Sequence, residues 1–388
     1  MDRDPEPMPL APDPLLALET PRLLLDETRM LRNIRRMQER MDRLGVSFRP
    51  HAKTSKCPEV VRRQPAAGAR GIAVSTLREA ERFFAEGVDD ILYAVAVAPA
   101  KLDRALGLAG PGRRLTLVVE SVAAAEAVAR HGREHGHCHE VLIEVDTDGD
   151  RSGVRPDDPR LGRVAAAVSG GARLAGVMTH AGSAYALGDP EALAALAERE
   201  RVGCVEAAGR LRAAGHPCEV VSVGSTPTAL SARSLRGVTE VRAGVYVFFD
   251  LVMAGTGVCT LDEIALTVLA TVIGHRADTG WVITDAGWTA MSQDRGTRNQ
   301  SRDFGYGVVC GLDGVPVRDL AFHAANQEHG VLHWTGDPGT DLEARFPIGS
   351  RLRILPSHAC ATGAQHPCYT VLPEAGGAPR TWERFGGW

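Results

Sequence analysis

The chain has 388 residues, more than a single barrel of about 250 needs, so a second folded unit is expected. Its 44 Lys and Arg against 48 Asp and Glu give a net charge of −4 without a basic stripe, which argues against a nucleic-acid partner. Met1–Pro14 is acidic and proline-rich rather than basic then apolar, and no apolar run approaches a membrane span. Residues 1–14 are therefore expected to be a disordered tail, and the protein cytoplasmic with no membrane partner.

Asp26 is positioned to cap a helix in which Leu31, Ile34, Met37, Met41 and Leu44 recur at three- and four-residue spacing. Eight strand-like runs then alternate with helical stretches: Val46–Arg49, Gly71–Val74, Asp90–Val95, Leu115–Val119, Val141–Asp146, Leu174–Thr179, Glu219–Val223 and Val238–Arg242. An alanine-rich helix is expected from Leu193 to Ala214. Eight strand–helix units in this length predict an α/β fold with a closed (β/α)8 TIM barrel, over 15–258, rather than an open doubly wound sheet. Beyond it the pattern changes to Ile264–Ile273, Trp281–Thr284, Gly307–Val309 and Arg351–Ile354. With turn signals at Asp278-Thr279-Gly280 and Leu312-Asp313-Gly314, these predict a C-terminal β-rich domain over 259–388.

Loops at the C-terminal ends of barrel strands share one face, where barrel chemistry is done. Only three lysines exist, Lys53, Lys56 and Lys101, and Lys53 directly follows the first strand, placing its amine at the barrel mouth. A partly dry lysine can bind a carbonyl covalently. Its alternative is a solvated loop charge. Gly224-Ser225-Thr226 opens a helix after strand seven, and Gly244 and Tyr246 follow strand eight. These two loops are the usual barrel phosphate site, though a plain capping turn is the alternative for each. Arg151 could bond a cofactor ring or phosphate and His180 could stack on the ring, against a surface ion pair and a core histidine.

Near the C-terminus, His358 and Cys360 stand two apart, so on an extended segment both side chains can reach one metal ion. Two protein ligands would leave positions open, as catalytic metals require, and a thiolate favours Zn²⁺ over Mn²⁺ or Mg²⁺. His366 and Cys368 follow, but spacing alone does not include them. The polar stretches Asn326–Gly330, Asp285–Gly287 and Ser292–Gly296 read either as parts of a site or as structural loops, the structural reading being favoured for the last two. The eight cysteines are too scattered for a disulfide framework.

Taken together, Arg49-Pro50-His51-Ala52-Lys53-Thr54-Ser55-Lys56, Glu240-Val241-Arg242-Ala243-Gly244-Val245-Tyr246, Glu328-His329-Gly330 and Pro356-Ser357-His358-Ala359-Cys360 resemble the D-serine dehydratase and D-threonine aldolase group of fold-type III pyridoxal-phosphate enzymes. The resemblance runs from Thr20-Pro21 to the His-x-Cys motif, and the barrel resembles that of alanine racemases. It implies pyridoxal 5′-phosphate carried on Lys53, a divalent metal on His358 and Cys360, a homodimer, and a small D-amino acid bearing a β-hydroxyl as substrate. One departure is Ser55, where the family usually has histidine. The metal-binding cysteine, where aldolases carry aspartate, favours dehydration to a 2-oxo acid and ammonia. Retro-aldol cleavage to glycine and an aldehyde, with His180 or a water as base, is the alternative. A racemase would need a second base and no metal pair, and a non-catalytic cofactor carrier would lack the C-terminal domain.

Overall fold

The computed structural model describes residues 14–374 and 377–388. The expected tail therefore lies outside the described residues except for Pro14, which starts a short 3-10 turn, Pro14–Ala17.

The helix Glu27–Leu44 forms as its spacing predicts. The Arg29 amide donates to Asp26 Oδ1 at 2.9 Å, Gly45 closes the helix at φ 71°, and Met30, Ile34, Met37 and Met41 are buried.

Eight parallel strands follow: β2 (Ser47–Pro50), β3 (Ile72–Val74), β4 (Asp90–Ala96), β5 (Arg114–Val119), β6 (His139–Val145), β7 (Ala172–Thr179), β8 (Val220–Val223) and β9 (Glu240–Ala243). Their order is β2-β9-β8-β7-β6-β5-β4-β3. A bridge between His51 and Ala73, with the Ala52 amide donating to the Ala73 carbonyl at 2.8 Å, brings β3 back to β2. The result is a nearly closed (β/α)8 barrel.

Strand alternation divides the barrel residues between two layers. Ile72, Val74, Ile91, Tyr93, Leu117 and Val119 face the helices, whereas Ala73, Leu92, Val118, Leu142, Ala175 and Met178 form a separate interior cluster. The rest of the interior is ionic: buried Arg49 bridges Glu240 at 2.6 Å and Asp90 at 3.0 Å. A buried arginine is tolerated there because two carboxylates replace its lost hydration.

The C-terminal part is antiparallel: β10 (Leu266–Arg276), β11 (Trp281–Thr284), β12 (Gly307–Cys310), β13 (Pro316–Ala325), β14 (Gly330–Trp334) and β15 (Arg351–Pro356) pair around a closed ring, β10-β11-β14-β13-β12-β15-β10. Both expected turns join hairpins, with Gly280 at φ 67° and Gly314 at φ 80°.

One correction concerns the first strand, β1 (Arg22–Asp26), which the boundary 15–258 assigns to the barrel. It pairs antiparallel with β10 and parallel with β16 (Cys368–Leu372), which continues to β17 (Arg380–Glu383). Leu23, Leu24 and Leu25 are all fully buried, so β1 is covered on both faces. Among the described residues no helix is long and apolar enough to cross a membrane.

Candidate functional site

A cavity of about 360 Å³ opens where the C-terminal ends of the barrel strands face the C-terminal domain. Lys53 reaches it from the loop after β2, Arg151 from the loop after β6, His180 from the end of β7, Gly224 and Ser225 from the end of β8, and Gly244 from the end of β9. His358 and Cys360 enter from the other side, after β15. Residues 300 apart in sequence thus share one wall, and Thr54 Oγ1 lies 3.2 Å from Cys360 Sγ.

Of the three lysines only Lys53 lines the cavity. Lys56 pairs with Glu79 at 3.2 Å, and Lys101 is exposed beside the Tyr93 hydroxyl. The Lys53 amine has no ion-pair partner among the described residues, and the backbone amide of Lys53 donates to His51 Nδ1 at 3.3 Å. Burial, then the charges of Lys53, Arg242 and His180, pushes His51 well below its usual range. His180 is pushed down to about 3 by burial and by Lys53. Its Nδ1–H donates to the Gly224 carbonyl at 2.9 Å, because a carbonyl can only accept, and that leaves Nε2 as the basic nitrogen.

The expected phosphate turn is present, but several of its donors are already engaged. The Gly224 amide donates to Glu200 Oε1 at 3.1 Å, the Ser225 amide donates to Thr228 Oγ1 at 3.0 Å, and Ser225 Oγ caps Thr228. The Gly244 and Val245 amides meet no acceptor among the described residues. Gly224 sits at φ +126°, and a Cβ there would come within 2.2 Å of the Arg242 carbonyl oxygen. At Gly244 a Cβ would meet Thr54 Oγ1 at 3.1 Å and the His51 carbonyl at 3.2 Å, so the smallest residue keeps this backbone open to the cavity.

Two expected site residues are placed elsewhere. Tyr246 turns into the core: its hydroxyl accepts from Gln64 at 2.8 Å, and its ring packs edge-on against Phe48 at 5.2 Å. Thr226 is buried and does not line the cavity. Its hydroxyl accepts the Tyr246 amide at 3.2 Å and so ties the two turns together. Arg151 is half-exposed at the rim, paired with buried Glu144 at 3.0 Å.

His358 Nδ1 lies 2.6 Å from Asp294 Oδ2 and, as the donor, leaves Nε2 toward the cavity chemistry. Burial opposes charge on His358, but the hydrogen bonds to Asp294 and Cys360 outweigh it and push the ring up to about 11. Burial raises the Cys360 thiol, and His358, Lys53 and Thr54 together bring it below its usual value. An imidazole backed by a carboxylate, next to an acidified thiol, is the donor set a borderline divalent metal prefers, so these residues fit such an ion. The turn is anchored by buried Asp250, which accepts from the Ala359 and Met253 amides, both at 2.9 Å.

Sequence reasoning missed Tyr185 and Asp250 and gave no role of their own to His51 and Arg242, which it quoted within motifs, or to Asp294, which it held within an ambiguous stretch; all five line the cavity. Arg242 stands two residues after Glu240 on β9, and that alternation of charges on a short strand was the available signal. It donates to Ser222 Oγ at 2.5 Å and to the Thr179 carbonyl at 2.6 Å. Of the ambiguous stretches, Ser292–Gly296 supplies Asp294 and Gly296 to the cavity. Residues 326–329 form an exposed turn between β13 and β14, and Asp285 holds the Thr271 amide at 2.7 Å. His366 bonds the Ala290 carbonyl, away from the cavity. Ser55, the departure from the family pattern, is buried outside the cavity, with its carbonyl accepting from Tyr369 at 2.7 Å.

Residues 25–252 match the family described as alanine racemase, N-terminal domain, and residues 265–372 match a serine dehydratase domain family. The chain is 62% identical over 355 residues to D-threo-3-hydroxyaspartate dehydratase of Delftia sp. (strain HT23), covering 91% of this chain and 93% of that protein. The solved structure of that enzyme matches with a TM-score of 0.94 over 96% of this chain and 99% of its own. A cysteine-to-alanine variant of it, in a metal-free form, matches equally well, with a TM-score of 0.94 over 97% of this chain and 100% of its own. Identity is 30% to D-serine dehydratase of Dictyostelium discoideum (87% of this chain, 89% of that protein). It is 32% to D-threonine aldolase of Arthrobacter sp (89% and 87%). The chain belongs to the fold-type III pyridoxal-phosphate enzymes, with an alanine racemase-type barrel followed by a D-serine dehydratase-type domain.

Proposed function

We propose that the chain is a pyridoxal-phosphate- and Zn²⁺-dependent lyase that dehydrates a D-β-hydroxy amino acid to a 2-oxo acid and ammonia. The observation that carries it is the meeting of Lys53 with the His358–Cys360 pair in one cavity, Thr54 bridging them at 3.2 Å from the sulfur. The 62% identity to a D-threo-3-hydroxyaspartate dehydratase supports that compound as the first substrate to try.

Lys53 would hold the cofactor, with the Gly244 and Val245 amides near its phosphate and His180 beside its ring. His358 and Cys360 would hold the metal. When bound, the cofactor supplies an electron sink for the α-carbon and the metal a Lewis acid for the β-hydroxyl. Lys53 Nζ would take the Cα proton. In the net reaction the Cα–H and Cβ–O bonds of the substrate would break with loss of water, and hydrolysis of the released enamine, through its imine, would take up one water and give the 2-oxo acid and ammonia. Neutral His180 adds no further positive charge beside Lys53. Asp294 fixes the His358 ring, and Asp250 fixes the turn that carries Cys360.

Retro-aldol cleavage is the second reading, supported by the aldolase relative and by the free Nε2 of His180 as a base for the β-hydroxyl proton. Incubation with D-threo-3-hydroxyaspartate, D-serine and D-threonine, with and without chelator, separates them. A 2-oxo acid with ammonia is expected, whereas glycine with an aldehyde would overturn dehydration and chelator-insensitive turnover would remove the metal. Lys53→Ala should lose both turnover and the cofactor's lysine-bound absorbance. A homodimer working in the cytoplasm completes the proposal, and light scattering of the purified protein reads the subunit count.

A further inference from the structure

A second cluster of ligating side chains lies outside the cavity. His131, His135, His137 and His139 crowd nine residues at the end of the helix Val122–Glu134 and the start of β6. His131 and His135 are one helical turn apart with their rings stacked at 4.2 Å. Asp103 approaches from a different helix, Leu102–Leu108, and one ligand atom from each of the three falls within 4.8 Å of the others.

The hydrogen bonds show which nitrogens are available. His135 Nδ1 is 2.9 Å from the His131 carbonyl, an obligate acceptor, so Nδ1 carries a hydrogen and, in the neutral ring, Nε2 holds the lone pair. That lone pair faces Asp103 Oδ1 at 3.9 Å. His131 Nε2 faces the same oxygen at 2.9 Å, and its Nδ1 meets His139 Nε2 at 2.9 Å. His139 is pushed down to about 4, by burial and then by the neighbouring histidines, so it is uncharged and can accept from His131 Nδ1. That hydrogen bond would orient the His131 ring as a ligand's outer partner does. A hydrogen on His131 Nε2 would satisfy one contact but would leave a neutral His135 ring with its lone pair opposed to the carboxylate. A second proton on His135 or a cation among the three atoms relieves that opposition, and only the cation draws one atom from each of the three residues to a common point.

We propose that Asp103, His131 and His135 form a second divalent-metal site, selective for imidazole-preferring ions of the Zn²⁺ class, that clips the helix Leu102–Leu108 to the helix Val122–Glu134. Two nitrogens and one oxygen leave a position for water. None of the three residues lines the catalytic cavity, so the site acts on stability rather than turnover.

The test counts Zn²⁺ by equilibrium dialysis on cofactor-loaded protein in a Cys360→Ala background, which separates this site from the catalytic metal reading. Adding His131→Ala and His135→Ala should remove one Zn²⁺ per chain and abolish the Zn²⁺-induced rise in melting temperature. Cys138→Ser should leave both unchanged. With Cys360 intact, His135→Ala should turn over as wild type does, which also shows that it folds. Equal Zn²⁺ counts and equal melting shifts with and without the two histidines would overturn the proposal and leave a hydrogen-bonded cap. Loss of the ion in Cys138→Ser would also overturn it, by making the thiol the ligand.

Discussion

Glu200, on the long helix Pro190–Ala213, is buried and accepts both the Ala181 amide at 3.0 Å and the Gly224 amide at 3.1 Å. It thereby joins the ends of β7 and β8, where His180 and the phosphate turn stand. Glu200→Ala would leave two buried amides without an acceptor, at about 1–3 kcal/mol each. A lower denaturation midpoint and weaker cofactor retention are expected. Glu200→Gln, which keeps an oxygen acceptor, should lose much less. His180 gives the pH dependence. Its ring stays neutral in the folded protein down to about 3, while in the unfolded chain it takes a proton near about 6.5. The unfolded state therefore binds more protons as pH falls from about 6.5, and folded stability drops over that window. Urea midpoints measured at about pH 7 and about pH 5 should fall further apart in wild type than in His180→Asn. At this scale, Lys53 was legible because it alone of the three lysines directly follows a barrel strand. Tyr246 was misplaced because its motif shows a loop near the site without showing which way the ring turns.

The turns that carry these residues have their own tolerances. Gly224→Ala combines φ +126° with a Cβ 2.2 Å from a carbonyl oxygen, and a loss of about 1–3 kcal/mol is expected from the strain alone. Cofactor affinity should fall with it, read by titrating cofactor into the apoprotein. Asp250→Ala frees the amide of Ala359, between the two proposed ligands. Metal affinity should fall while the cofactor absorbance persists, and loss of both would instead mean that the whole turn had collapsed. The barrel strands were readable to within two residues because β-branched runs sit between turn signals. β13 and β14 were missed. Half of β13 is exposed and only Leu320 and Phe322 are buried, so its pattern carries little of an apolar face.

For the whole molecule, the decisive contact is β1. Leu24 lies opposite Thr370 in the parallel pairing and opposite Thr267 in the antiparallel one. Residues 259–388 alone would expose the edges of β10 and β16 and are expected to stay unfolded or aggregate. The same fragment joined to residues 14–26 should show a cooperative melt by circular dichroism, and an equally cooperative melt without them would refute the dependence. Local pattern determined the eight strand–helix units, the lysine at the barrel mouth and the spacing of His358 and Cys360, since periodicity and loop position are written in neighbouring residues. Only the tertiary structure decided that β1 completes the distant sheet, that Glu200 occupies the Gly224 amide expected to face a phosphate, and that Asp294 backs His358. Those contacts join residues far apart in the chain, and burial, which sets both their hydrogen bonds and the charges of His180 and Cys360, exists only after folding.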